Sequence, residues 1–396
     1  MTGDRKSHLF DTYARMPLTP VRGEGPWLFD DQGHRYLDAV SGIAVCSLGH
    51  AHPRLARVLC DQAQMLWHTA NIVQIPQQEA LAEALTRISG LDRAFMANSG
   101  VEAIECALKL ARRHAHERGI SQPKVLVAND SFHGRSLAAL SASGNLANQD
   151  GFGPLVEGFV RVPYGDLGAA RQALADDEDI VAVLLEPIQG EGGVKPAPPG
   201  YLSGLRAACD RHQALMILDE IQTGMCRTGR WFAFQHEPDL LPDVVTVAKA
   251  LGNGLPIGAC LARNEVAALF KPGLHGSTFG GNPLACRVGL EVIRIMEEEC
   301  IAEQAANMGE YLSQRLRTGL TDHPVVVEIR GRGLMIGIEL TEPATALKMA
   351  AMEQGLLINV TRGNVIRLLP PLIIDQEQAD RIADTLTELI NRQFAT

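Results

Sequence analysis

Six short apolar runs recur through the middle of the chain, at residues 93–97, 124–129, 180–186, 214–219, 243–247 and 257–262. Several are unbroken in Val, Ile, Leu and Ala, the pattern of strands covered on both faces of a mostly parallel sheet. Between them the apolar positions switch to a helical period. In residues 102–118, Ile104, Ala107, Leu108 and Ala111 share one face, while Lys109, Arg112, Arg113 and Glu117 lie elsewhere. Residues 202–212 read as a second such helix. The alternation predicts a doubly wound α/β body over residues 55–280.

The ends carry a different pattern. The stretch from Gly25-Pro26-Trp27 to Tyr36-Leu37-Asp38 predicts a hairpin turning at Asp31-Gln32-Gly33. Beyond Asn282 a long helical pattern over 283–317, with breaks, leads to strands at 325–330, 334–340, 356–359 and 365–369. Helical segments at 343–354 and 376–392 complete a smaller α+β unit. The expected division is an N-terminal segment, 1–54, that contributes to the small domain, a large domain at 55–282, and the remainder of the small domain at 283–396.

Composition narrows the class. A chain of 396 residues with 46% hydrophobic and 21% charged residues is of ordinary globular type. A net charge of −10 opposes binding to nucleic acid or to an anionic membrane surface. The cysteines at 46, 60, 106, 209, 226, 260, 286 and 300 form no C-x-x-C pair and several sit in apolar runs. They read as reduced thiols in the cytoplasm. No leader pattern opens the sequence and no uncharged stretch reaches membrane-spanning length.

The chemistry begins at Lys249, where the fifth apolar run ends in Ala248-Lys249-Ala250-Leu251-Gly252-Asn253-Gly254. Strand ends opening into loops are where α/β proteins place reactive groups. A lysine there is either a solvated surface cation or, if desolvated, a neutral amine nucleophile. Asp219 closes the fourth run. An acid at that place binds a metal, caps a loop, or pairs with a protonated heterocyclic nitrogen. Asn98-Ser99-Gly100-Val101 follows the first run and opens the 102–118 helix, so its free N–H groups make either a plain cap or a phosphate cradle. Ser131-Phe132-His133-Gly134-Arg135 supplies an aromatic ring and a guanidinium. Lysine, acid, cradle and ring together suit pyridoxal phosphate: the lysine forms the Schiff base and the acid keeps the ring nitrogen protonated. His50-x-His52 has no companion ligands nearby and reads as loop packing, so no metal site is expected.

These motifs resemble the class III (ornithine-type) aminotransferases of fold type I. The resemblance runs through Gly42–Val45, Leu48-Gly49-His50-Ala51-His52-Pro53, Asn98-Ser99-Gly100, Phe132–Arg135, Glu186–Gly193, Asp219–Gly224, Lys249 and His275–Pro283. It implies that Ser99, Gly100 and Val101 hold the phosphate, joined by Thr278 of a neighbouring subunit, with Phe132 over the ring, Gln222 at the ring hydroxyl and Ser277 near the substrate. It also implies Arg135 and Arg367 as carboxylate receptors, with Glu191 masking Arg367, and a homodimer as the smallest active assembly. The 41–50 and 359–372 stretches look most like the members that take N-acetylornithine as amino donor and 2-oxoglutarate as acceptor. Trp27 stands where ornithine-specific members carry a substrate-binding tyrosine, and Val101 where a small or hydroxylated residue is usual.

Overall fold

The computed structural model describes residues 8–394. The expectation of an absent leader falls partly on residues 1–7, outside the described residues. Strands β1 (Pro20–Glu24), β2 (Trp27–Asp30) and β3 (Arg35–Asp38) form an antiparallel meander. Next come β4 (Arg93–Ala97), β5 (Lys124–Ala128), β6 (Phe159–Val162) and β7 (Ile180–Leu185), then a small ribbon of β8 (Ile188–Gln189) and β9 (Lys195–Pro196). The main series continues with β10 (Leu215–Asp219), β11 (Val244–Val247) and β12 (Gly258–Ala262). The C-terminal part contributes β13 (Val326–Arg332), β14 (Met335–Leu340), β15 (Leu356–Leu357), β16 (Asn359–Thr361) and β17 (Val365–Leu368).

Seven strands make the main sheet, in the order β4-β12-β11-β10-β7-β5-β6. Only β12 runs against its neighbours; the other pairs are parallel. The unbroken apolar runs follow from this burial. In β10, Leu215 and Ile217 pack with Ile104, Ala107, Leu108 and Ala111 of the Gly100–Glu117 helix. Met216 and Leu218 point the opposite way, into a core shared with Leu81, Leu85, Val292 and Ile293 of the Pro76–Ser89 and Pro283–Glu298 helices. Alternation of side chains along a strand therefore buries an apolar group on both faces, each worth about 2 kcal/mol.

Two departures from the expected elements have clear causes. The long C-terminal helical pattern splits into Pro283–Glu298 and Ile301–Gly319 because Cys300 adopts a left-handed φ of 52°. The run at 356–359 divides because its halves join different sheets: β15 pairs with β3, and β16 pairs with β17. The helices Pro53–Met65 and Pro76–Ser89, each with proline in its first turn, complete the helical layer.

Candidate active site

Because β4, β5, β7, β10 and β11 run in the same direction, their C-terminal ends meet along one sheet edge. Residues at or just beyond those ends, Ser99, Phe132, Glu186, Asp219 and Lys249, line a single cavity of about 450 Å³. A strand edge of this kind is the usual ligand position in open α/β sheets. The antiparallel β12 begins at the same edge. A Cβ on Gly258 would lie 2.5 Å from the Ser99 carbonyl oxygen, so only glycine lets the Ser99 loop rest against that strand.

Lys249 occupies the left-handed region, with φ of 46°, a conformation that costs a non-glycine residue on the order of 1 kcal/mol. Strain of this sort persists at sites where surrounding contacts over-determine the backbone. Here Asn253 ties the lysine loop to the N-terminal segment, accepting from Leu48 N–H at 2.7 Å and donating to the Gly49 carbonyl at 3.0 Å. Burial lowers the Lys249 ammonium to about 8, and the nearby Arg367 cation adds to that, against Glu191, Asp219 and Glu186. The side chain keeps part of its surface open to the cavity. Near neutral pH a usable fraction is thus free amine.

Asp219 is buried, and its Oδ2 lies 2.8 Å from His133 Nδ1. The Ile221 N–H and the Thr246 hydroxyl donate to Oδ1 at 3.1 and 3.4 Å. Behind this pair stands Glu186, whose carboxylate accepts the N–H groups of Phe132 and Gly190, both at 3.1 Å. Burial pushes Glu186 up to about 7, opposed by His133 and reinforced by Asp219. Asp219 is consequently held in orientation from two sides by protein groups.

The Gly100–Glu117 helix points its N-terminus into the cavity through Ser99, Gly100 and Val101. Its first N–H groups have no carbonyl one turn back to bond, and the helix dipole adds positive potential there. Glu102 accepts the Asn98 N–H at 2.5 Å and fixes the entry to that turn. Phe132 lines the same cavity, and the exposed Arg135 sits with its guanidinium carbon 5.6 Å from the Phe132 ring centre.

Arg367, on β17, is fully buried. Its Nη1 donates to Glu191 Oε1 at 2.6 Å and to Gln222 Oε1 at 3.4 Å. Its Nε and Nη2 both donate to Asn359 Oδ1, at 3.2 and 2.8 Å. Gln222 is seated so closely that a Cβ on Gly190 would fall 2.3 Å from its amide oxygen.

The class-III aminotransferase model matches residues 10–390. The chain belongs to the class III aminotransferases. It is 51% identical over 384 residues to the acetylornithine aminotransferase of Nitrosomonas europaea, covering 97% of this chain and 98% of that protein. Among solved structures it resembles the ornithine aminotransferase from Toxoplasma gondii ME49, with a TM-score of 0.94 at 37% identity over 98% of this chain and 93% of that one. It also resembles the N-acetylornithine aminotransferase from Stenotrophomonas maltophilia K279a, with a TM-score of 0.84 at 37% identity over 97% and 98% of the two chains.

Class III aminotransferases depend on pyridoxal phosphate, and the cavity of this one fits the group. A helix N-terminus that Ser99 caps at the Glu102 N–H, the Asp219 carboxylate, the Phe132 ring and an amine of lowered pKa converge on one volume. Ser99, Gly100, Val101, Phe132, Arg135, Asp219, Gln222 and Lys249 are all brought together there. Ser277 and Thr278 are not. They border an adjoining hollow with Asn98, Glu105, His275 and Phe279, and Thr278 is exposed. Trp27 is not among the residues lining the cavity; its ring lies 4.7 Å from the Arg35 guanidinium and 5.3 Å from that of Arg381.

Three further residues have contacts at the site that their motifs do not reveal. His133 and Glu186 lay inside quoted motifs, but neither periodicity nor spacing reveals a contact with Asp219 that spans separate strand ends. Val45 reaches the cavity through Ser41, Gly42, Ile43 and Ala44, all at positive φ, with the Asp38 carboxylate accepting the Val40 and Ser41 N–H groups. Only the Gly42 within that stretch signals such a turn in the sequence.

Proposed function

We propose that this aminotransferase moves the δ-amino group of N-acetylornithine to 2-oxoglutarate, giving N-acetylglutamate 5-semialdehyde and glutamate, a step of arginine biosynthesis in the cytoplasm. The observation that carries the reading is the buried, maskable Arg367, ion-paired to Glu191 and bonded to the cavity-lining Gln222, together with Arg135 in the cavity wall. An ω-amine donor brings no carboxylate toward Arg367, whose charge Glu191 then neutralises. With 2-oxoglutarate the Glu191 side chain turns away, Arg367 takes the α-carboxylate and Arg135 the distal one. Glu191 is 37% exposed against 1% for Arg367, so the glutamate has room to leave and the arginine does not.

Ser99, Gly100 and Val101 would hold the cofactor phosphate, Asp219 its ring nitrogen, Gln222 its hydroxyl and Phe132 its face, with Lys249 as the covalent anchor. Bound there, pyridoxal phosphate supplies an aldehyde carbon for amine exchange and an electron-withdrawing ring. Arg135 orients the donor by its α-carboxylate through a forked contact. Lys249 Nζ would take a proton from the donor δ-carbon and later deliver one as general acid. His133 holds the Asp219 carboxylate toward the cavity throughout.

A homodimer that shares its sites is part of the same reading. Trp67 and Ile72 are 64% and 91% exposed and lie beside Met65 and Val73 on one apolar stretch. Asn71 donates to the carbonyls of Ser277 and Gly280 at 3.0 Å, and His68 packs 5.2 Å from Phe279, so this stretch is continuous with the loop bearing Thr278. Covering it with a second copy would bring Thr278 to the partner's phosphate. The parallel pairing of β15 with β3 supports grouping 1–54 with the C-terminal part. The Pro283–Glu298 helix instead packs with Leu81, Leu85, Met216 and Leu218 of the large domain, against a division at 282/283.

A panel of donors with 2-oxoglutarate, following semialdehyde formation, tests the substrate. N-acetylornithine should give the highest kcat/KM. Free ornithine is the runner-up, favoured by the likeness to the Toxoplasma gondii enzyme, and higher kcat/KM with it would replace the first reading. Lys249→Ala should lose both the visible absorbance of the holoenzyme and all turnover; multiple turnovers in that variant would refute the role of the lysine.

A further inference from the structure

The masking of Arg367 leaves a physical question: what holds the guanidinium in place when Glu191 departs? Among the described residues Glu191 is its sole ion-pair partner. A buried arginine relieved of that partner would be expected to follow the glutamate or reorient toward other acceptors, because an unpaired buried charge is costly. We propose that Asn359 is the positioning residue that fixes Arg367 for the keto-acid acceptor, by binding the guanidinium without neutralising it. The inference rests on the reading of Arg367 as an acceptor receptor.

The geometry is specific. Asn359 Oδ1 takes both Nε and Nη2, one edge of the fork, and leaves Nη1 for Glu191. The exchange of Glu191 for a substrate carboxylate thus takes place on the edge that Asn359 does not occupy. Asn359 faces Arg367 directly across the β16–β17 ladder, so the clamp is built into the backbone register. The same β16 strand fixes the mask: Thr361 donates its hydroxyl to the Glu191 carbonyl at 2.6 Å. Glu186 holds the Gly190 N–H at 3.1 Å, and Arg330 donates to the Gly193 and Val194 carbonyls at 2.6 and 3.0 Å. With the backbone pinned on both sides, only the Glu191 side chain is left to move. A neutral amide suits the clamp because a carboxylate in its place would do permanently what Glu191 does transiently.

Adding a charge at constant shape is therefore the decisive test. Asn359→Asp accepts the same two hydrogen bonds and adds a lasting negative charge beside Arg367. In the holoenzyme, binding of glutarate, a dicarboxylate that cannot react, should weaken at least about tenfold, equivalent to about 1.4 kcal/mol. KM for 2-oxoglutarate should rise in parallel, while the single-turnover reaction with N-acetylornithine stays within about twofold. Asn359→Ala, which loses the clamp but adds no charge, should weaken glutarate by a smaller factor and again spare the donor reaction. Equal losses in both half-reactions, or unchanged glutarate affinity in Asn359→Asp, would overturn the inference. If wild-type enzyme fails to bind glutarate at all, the reading of Arg367 itself is what falls, so the two failures are separable.

Discussion

The two arginines proposed as carboxylate receptors are built on opposite plans. Arg367 is buried, rises from a strand, and has hydrogen bonds to Glu191, Gln222 and Asn359. Arg135 is exposed, lies on a loop, and leans on Phe132 with a centroid separation of 5.6 Å. A preformed receptor costs little ordering on binding and needs a mask when its ligand is absent. A receptor at the rim adapts its side chain to carboxylates at different depths and needs none. The contrast matches what the proposed cycle asks: one receptor must distinguish two partners by the presence of a carboxylate, and the other must accept a carboxylate from both.

The contrast is open to direct attack. The largest effect is expected from Arg367→Ala, which removes a buried charge with prepared partners. Acceptor kcat/KM should fall by about 100- to 1000-fold, the range for truncating one member of a buried hydrogen-bonded ion pair, with the donor half-reaction nearly unchanged in stopped-flow measurement. An equal fall in both half-reactions would erase the distinction between the two receptors. Arg135→Ala should lower both half-reactions by about 10- to 100-fold, the loss of one charge-assisted contact at a more solvated place. Lysine should partly rescue position 135 and fail at 367, where three acceptors require the planar fork.

A third test uses the influence of Arg367 on the lysine. Capture of pyridoxal phosphate by apoprotein needs the neutral Lys249 amine, so its rate should rise with pH through about 8 and then level off. Burial is the larger cause of that low value and Arg367 the next, so Arg367→Met should move the midpoint upward while leaving it below the ordinary 10.5. A smaller effect is expected at a buried carboxylate that bonds neither arginine. Glu220 is raised from 4.5 to about 7 by burial, opposed by bonds from Thr223, Ala233 and Phe234. A raised folded-state pKa gives stability present below 4.5 that is lost as pH climbs through about 7. Glu220→Gln should therefore flatten the fall in Tm across that window, measured by calorimetry.

The fold was largely legible because the main sheet is buried on both faces. Such strands read as apolar runs, and the turn chemistry marks their ends, as at Asp219 and Lys249. The short strands near the C-terminus were less clear, since one run from Leu356 to Asn359 serves two sheets, which only tertiary pairing determines. Lys249, Asp219 and the Ser99 cradle stand at strand ends where sequence pattern is informative. Asn359 opened the 359–372 stretch that carried the resemblance, yet its role was not legible there. That role comes from lying across the ladder from Arg367. His133 was visible as a letter within a motif, but its bond to Asp219 joins the ends of β5 and β10, which β7 separates in the sheet.

The β16–β17 hairpin also bears on how such an enzyme could change its preferences over generations. The acceptor receptor, its neutral clamp and the anchor of its mask all reside between Asn359 and Arg367. The cofactor contacts gathered at the sheet edge lie elsewhere in the chain. Inheritance can therefore rewrite the choice of keto acid within one short contiguous segment, with the catalytic apparatus passed on intact.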